Sequence, residues 1–221
     1  MTFQRARSKE QREIRRQSIL DTAAAMLDEM PVADVSLNEL SRRVGLAKSN
    51  VLRYFESREA VLFELLERAM ARWLAEVPDE LAKGVDPRLS ARERGDQVAA
   101  VLSASLAGQT VLLDLVNAQT NALEHNVSVD VVVRHKRSAV AGITTATDLI
   151  RQYVPELGDG ARTVAMMTLI LAGALSTYCR PSASALAAYE ADPTVVGLRL
   201  DLRATLENAV ATLIAGTVAR A

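Results

Sequence analysis

Five residues close together in the chain, Lys48, Ser49, Asn50, Arg53 and Tyr54, carry positive charge and hydrogen-bond donors. Donors of this kind suit phosphate oxygens and the edges of bases. No Asp or Glu lies between Leu40 and Phe55. A merely solvated helical segment mixes acids with bases, so the gap fits a surface that meets a polyanion. Other chemistry finds little to work with. There is no glycine-rich phosphate loop and no zinc-protease motif. His125 and His135 have no cysteine or further histidine clustered around them, and Cys179 is the sole cysteine. The residues therefore predict no enzyme, no metal and no cofactor. Cys179 reads as a small buried hydrophobe.

The elements that must position the donors can be read from capping and periodicity. A first helix is predicted over about 8–29, with Ile14, Ile19, Leu20, Ala23 and Leu27 on its inner side. Ser36 and Glu39 have capping-box spacing and open a short second helix. Gly45 ends it, because glycine accepts the left-handed exit. A third short helix covers about 47–53. Leu40, Val44, Leu46, Val51 and Phe55 then fall on one buried face and leave the five donors outside. Two short helices about a glycine turn, packed on a first helix, make a helix-turn-helix over 36–55. A fourth helix, capped by Ser57, is predicted to end at Pro78.

Composition supports an all-α protein of about nine helices. Apolar residues make up 49% of the 221 and aromatics only 4%, which favours long Ala- and Leu-rich helices over sheets. The organisation expected is a DNA-binding domain over 1–58 and a larger helical body over 59–221. Residues 1–58 hold eleven basic and eight acidic residues, net +3, which leaves −4 on the rest of a chain whose net charge is −1. Arg5, Arg7, Lys9, Arg12, Arg15 and Arg16 fit either an arm reaching a phosphate or the minor groove, or a solvated terminus. No signal peptide is read at the start, and the longest apolar run, Val164–Leu175, reads as too short to span a bilayer.

The stretch Ser36-Leu37-Asn38-Glu39-Leu40 through Lys48, Tyr54-Phe55 and Ser57-Arg58-Glu59 resembles the signature of the tetracycline-repressor (TetR/AcrR) regulators. The resemblance covers about residues 14–66. It implies a cytoplasmic homodimer that binds a palindromic operator in double-stranded DNA and answers to a small-molecule effector. Carried over by position, it gives Ser36, Lys48 and Arg58 to phosphates, and Ser49 and Asn50 to bases. Arg53 and Tyr54 go to base or backbone. Ala47, Ser49 and Leu52 depart from the residues common there, which leaves the operator sequence open.

In the body, Thr110, Asp114, Asn117, Asn121 and His125 share one arc of a sixth helix expected to run to about His125. This arc is either a pocket wall or a solvated face. Trp73, Met166 and Tyr178 are the apolar candidates for such a pocket, with Asn117, Asn121 and His125 as its polar groups. The effector read from this is small and largely apolar. Control by a protein partner, with no small ligand, is the alternative. Ala165, Thr168 and Ala172 form a small-residue stripe on an eighth helix over about 161–179, and Leu202, Leu206 and Leu213 form a seam on the last, over about 198–218. Both stripes are expected at a dimer interface, the other reading being core within one chain.

Overall fold

A computed structural model describes residues 2–119 and 124–220, with side chains described from residue 10 onward. Ten α-helices occur among the described residues, and no strand. They are α1 (Thr2–Glu29), α2 (Leu37–Val44), α3 (Lys48–Val51), α4 (Arg58–Gly84) and α5 (Ala91–Ala107). The others are α6 (Thr110–Ala118), α7 (Val129–Tyr153), α8 (Ala161–Tyr178), α9 (Ala183–Ala191) and α10 (Leu202–Val218). The chain divides into two compact units, one of Met1–Arg68 with Ala118–Lys136, the other of Ala69–Asn117 with Arg137–Ala221. The sequence pattern alone places a single boundary after residue 58.

The first unit, the head, is built on α1, α2, α3 and the start of α4. Ile19, Leu20, Ala23, Met26, Leu40, Val51 and Phe55 form its buried core. Three expectations are corrected here. The first helix begins at Thr2, and Ile14, expected inside, is 64% exposed because the head core closes only from Ile19 onward. Val44 and Leu46 are half-buried rather than core.

In the second unit, the body, α5 and α10 pack face to face. Gly95 of α5 allows this: a Cβ there would lie 2.7 Å from Ile214 Cγ2 of α10. Pro78 does not end α4, which continues to Gly84. Proline removes one helical hydrogen bond and crowds the preceding turn, a cost of about 3 kcal/mol. Burial of Val77, Leu81 and Val85 on the same stretch opposes it. α6 is shorter than expected, and His125 falls in an exposed bend of the head unit, before Ser128 caps α7. The stretch after α8 holds a full helix, α9, and α10 opens at Leu202, four residues later than the sequence suggests.

The reading of the apolar run also changes. Pro155–Tyr178 is long and apolar enough to cross a membrane by length and composition. Yet Ala161, Val164, Ala165, Thr168, Ala172 and Ser176 are buried against other helices of the same chain. A core helix passes the same test.

Candidate nucleic-acid interface

The turn between α2 and α3 is set by Gly45, at φ 72° and ψ 32°. Any Cβ would strain this left-handed conformation, although the space beside it is open. Gly45 N–H bonds back to Arg42 O and Leu46 N–H to Ser41 O, which closes α2 and redirects the chain into α3. Ser36 Oγ accepts from Glu39 N–H at 3.2 Å. Only half of the expected capping box forms. The Glu39 carboxylate turns instead to Arg42 and Arg43, at 2.6 and 2.8 Å. Hydrogen bonds from Arg42, then Arg43, hold its carboxyl down at about 2. The one acid of α2 is thereby neutralised by its neighbours.

Val51 and Phe55 hold α3 and its following turn to the core. Ser36, Lys48, Ser49, Asn50 and Arg53 are exposed and Tyr54 is half-buried. α3 is short, Lys48–Val51, so Arg53 and Tyr54 lie on the turns after it. Ala47 precedes α3 without a side-chain cap, as its missing hydroxyl requires.

Arg58 is placed differently from the expectation. Its Nε donates to Val35 O, one terminal nitrogen donates to Val32 O, and the other lies 3.4 Å from Glu59. The guanidinium ties the start of α4 to the segment before α2. In this structure it is a brace, engaged within the chain rather than standing free for a phosphate. Ser57 Oγ caps α4 by accepting from Ala60 N–H at 3.1 Å. Arg16 is a second brace, bidentate to Glu64 and 4.5 Å above the Phe55 ring. Neither role was legible, since both depend on partners distant in sequence.

Between α1 and α3 lies an open groove of about 950 Å3, whose lining includes Arg12, Ile14, Arg15, Asn50, Arg53 and Tyr54. Among the described residues, no carboxylate lines it. His135, elsewhere in the head, is 2% exposed and stacks on Phe63 with centroids 4.1 Å apart. No group of three or more His, Cys, Asp or Glu able to hold a metal occurs among the described residues.

The expected pocket residues do not converge. Trp73 is buried, with Nε1 donating to Ser105 Oγ at 3.1 Å. Beside it Val77, Leu102, Ile150, Ala165 and Leu169 leave a cavity of only about 10 Å3. Asn117 donates to Thr177 Oγ1 at 2.8 Å, and Asp114 is paired with Arg180. Of the polar arc, Asp114 and Asn117 fasten α6 to the end of α8, while Thr110 is exposed and lines a hollow of about 560 Å3 with Leu113, Ser176, Cys179 and Arg180. Met166 is half-buried, and Tyr178, expected in an apolar cavity, is 75% exposed. His125 belongs to the other unit, and Asn121 lies outside the described residues.

The expected dimer stripes are largely internal. Ala165, Thr168, Ala172 and Leu206 are buried within one chain, and Thr168 Oγ1 donates to its own helix at Val164 O. Small side chains let α8 sit close to its neighbours, and here those neighbours are intrachain. Leu202 and Leu213 are half-buried. What α8 leaves outside is Ile170, 50% exposed, with Tyr178 exposed and Met167 and Ala174 half-exposed.

Residues 19–65 match the bacterial regulatory proteins of the tetR family, and residues 67–221 match the tetracyclin repressor-like C-terminal domain. The HTH-type transcriptional regulator EthR of Mycobacterium tuberculosis is 40% identical over 53 residues, 24% of either chain. An uncharacterized HTH-type regulator of the same species, Rv1255c, is 30% identical over 69 residues, 31% of this chain and 34% of its own. The match thus spans about a quarter to a third of these relatives' length. Two solved structures share the fold over nearly the whole chain. A TetR regulator from Rhodococcus sp. RHA1 has a TM-score of 0.55 at 13% identity, covering 93% of this chain and 95% of its own. FadR from Bacillus subtilis, solved in complex with stearoyl-CoA, has a TM-score of 0.53 at 15% identity, covering 90% and 98%.

Proposed function

The chain belongs to the tetR family of bacterial regulatory proteins, and we propose that it is a transcriptional repressor that binds a palindromic operator as a homodimer. The observation that carries this is the α2–α3 surface, where Lys48, Ser49, Asn50 and Arg53 stand exposed with no acid beside them. In this reading α3 enters the major groove, Lys48 and Ser36 meet phosphates, and Ser49 and Asn50 meet base edges. Arg53 and Tyr54 add contacts to base or backbone. A dimer must then present two such helices about 34–36 Å apart, or a multiple, to match half-sites. Such a protein would work in the cytoplasm.

The dimer face is the one α8 and α10 leave open. Met167, Ile170, Ala174 and Tyr178 of α8 form its apolar part, and Ala204, Ala211 and Ala215 of α10 its small part. A second copy would cover the apolar surface, as a symmetric interface does. Of the residues expected there from sequence, Ala165, Thr168, Ala172 and Leu206 are instead buried within one chain, while Leu202 and Leu213 stay half-exposed.

Release by a small, largely apolar effector is the proposed mode of control, supported by family membership and by the stearoyl-CoA bound in the Bacillus subtilis FadR complex. α4 is one continuous helix from Arg58 in the head to Gly84 in the body, so a ligand that moves its body portion acts on the head. The effector must bind the released state more tightly, or no shift occurs. A second reading has support of its own. The hollow beside Trp73 has room for no more than about one water, so a ligand would need the more open hollow of about 560 Å3 lined by Thr110, Leu113, Ser176 and Leu202, and without one, control falls to a protein partner. A gel-shift titration on the DNA beside the protein's own gene tests both. Loss of binding on adding a long-chain acyl-CoA, or another ligand with a large apolar part, supports the first, and indifference to all such ligands supports the second.

A further inference from the structure

We infer that α1 forms a second DNA-contacting element, in which Arg12 and Arg15 grip the phosphate backbone beside the segment read by α3. The inference rests on the DNA-binding reading and adds a site to it. The groove between α1 and α3 brings Arg12 and Arg15 together with Asn50, Arg53 and Tyr54. At about 950 Å3 it is wide and open, suited to an extended strand rather than an enclosed ligand.

Three features identify a polyanion as its occupant. Every ionisable side chain on its walls, Tyr54 apart, is an arginine. Charge on α1 is sorted by flank: Glu10, Glu13 and Asp21 line an adjoining shallow hollow that meets the groove at Ile14 and Ser18, and Gln17 donates to Asp21 at 2.6 Å. Thirdly, the arginines differ in what they already hold. Arg16 is engaged by Glu64 and Phe55, whereas Arg12 and Arg15 are exposed and pair with no carboxylate among the described residues. Ile14, 64% exposed between them, suits the apolar face of a deoxyribose. Phosphate contacts of this kind set register and affinity without reading sequence.

The test is the salt dependence of binding, measured by fluorescence anisotropy on a random-sequence duplex and on the duplex beside the protein's own gene. Removing one phosphate-binding side chain reduces the steepness of log K against log salt by about 0.9. The double variant Arg12→Ala/Arg15→Ala should show a slope shallower by about two such increments per protomer on both duplexes, and Arg12→Lys/Arg15→Lys should recover them. Both side chains are exposed, so the thermal melting of the double variant should match the parent. A slope equal to the parent's, with Lys48→Ala still lowering it, overturns the α1 site alone. A parent protein that binds neither duplex overturns the DNA-binding reading itself.

Discussion

Head and body use the same material, amphipathic helices, yet their surfaces carry different information. In the head the core is small and filled by a few large side chains such as Ile19, Leu40 and Phe55. Its exposed donors Lys48, Ser49, Asn50 and Arg53 hold no side-chain partner among the described residues, and in the proposed reading they serve another molecule. In the body most polar or small groups that looked functional are already occupied. Asp114 holds Arg180, Asn117 holds Thr177, and Thr168 holds its own helix.

Breaking each region separately sharpens this contrast. The largest effect is expected from Phe55→Ala, which removes a 3% exposed ring and the seat of Arg16. A loss of about 3–5 kcal/mol is expected, read by denaturant unfolding, with the head unfolding first. Arg58→Ala comes next. It strips a charged donor from Val32 O and Val35 O, costing about 1.5–3 kcal/mol. The salt slope of DNA binding should stay unchanged, which separates a brace from a phosphate ligand.

In the body, Ile170→Asp should leave the fold intact and shift the protein to monomer by analytical ultracentrifugation. Thr168→Val, at a buried site of the expected dimer stripe, should leave the dimer in place. The smallest effects belong to exposed pairs. Asp114→Ala frees Arg180 and should cost no more than about 1 kcal/mol. Glu39, whose carboxyl is held at about 2, adds stability above the ordinary glutamate range. That contribution fades as pH falls towards 2, and Glu39→Gln should flatten this acid limb of the head's unfolding curve.

How much of this was legible in the chain follows the same division. Gly45, the Ser36 cap, the acid-free run and the spacing of Leu40, Val51 and Phe55 are local signals, and the head was readable from them. Arg58 misled because its partners, Val32 and Val35, lie more than twenty residues away. Pro78 misled because a rule about local hydrogen bonds was outweighed by tertiary burial of Val77 and Leu81. The stripes of α8 and α10 misled for a simpler reason. Small residues permit close packing but do not say whether the neighbour belongs to the same chain or to its partner.

The central claim is that the α2–α3 surface binds DNA in a symmetric pair. Its most direct test is a footprint on the DNA beside the protein's own gene, with the parent and with Lys48→Ala/Tyr54→Ala. A protected site with two-fold symmetric half-sites is expected, abolished in the variant while its melting temperature holds. Protection that survives the variant, or no protection by the parent, would contradict it.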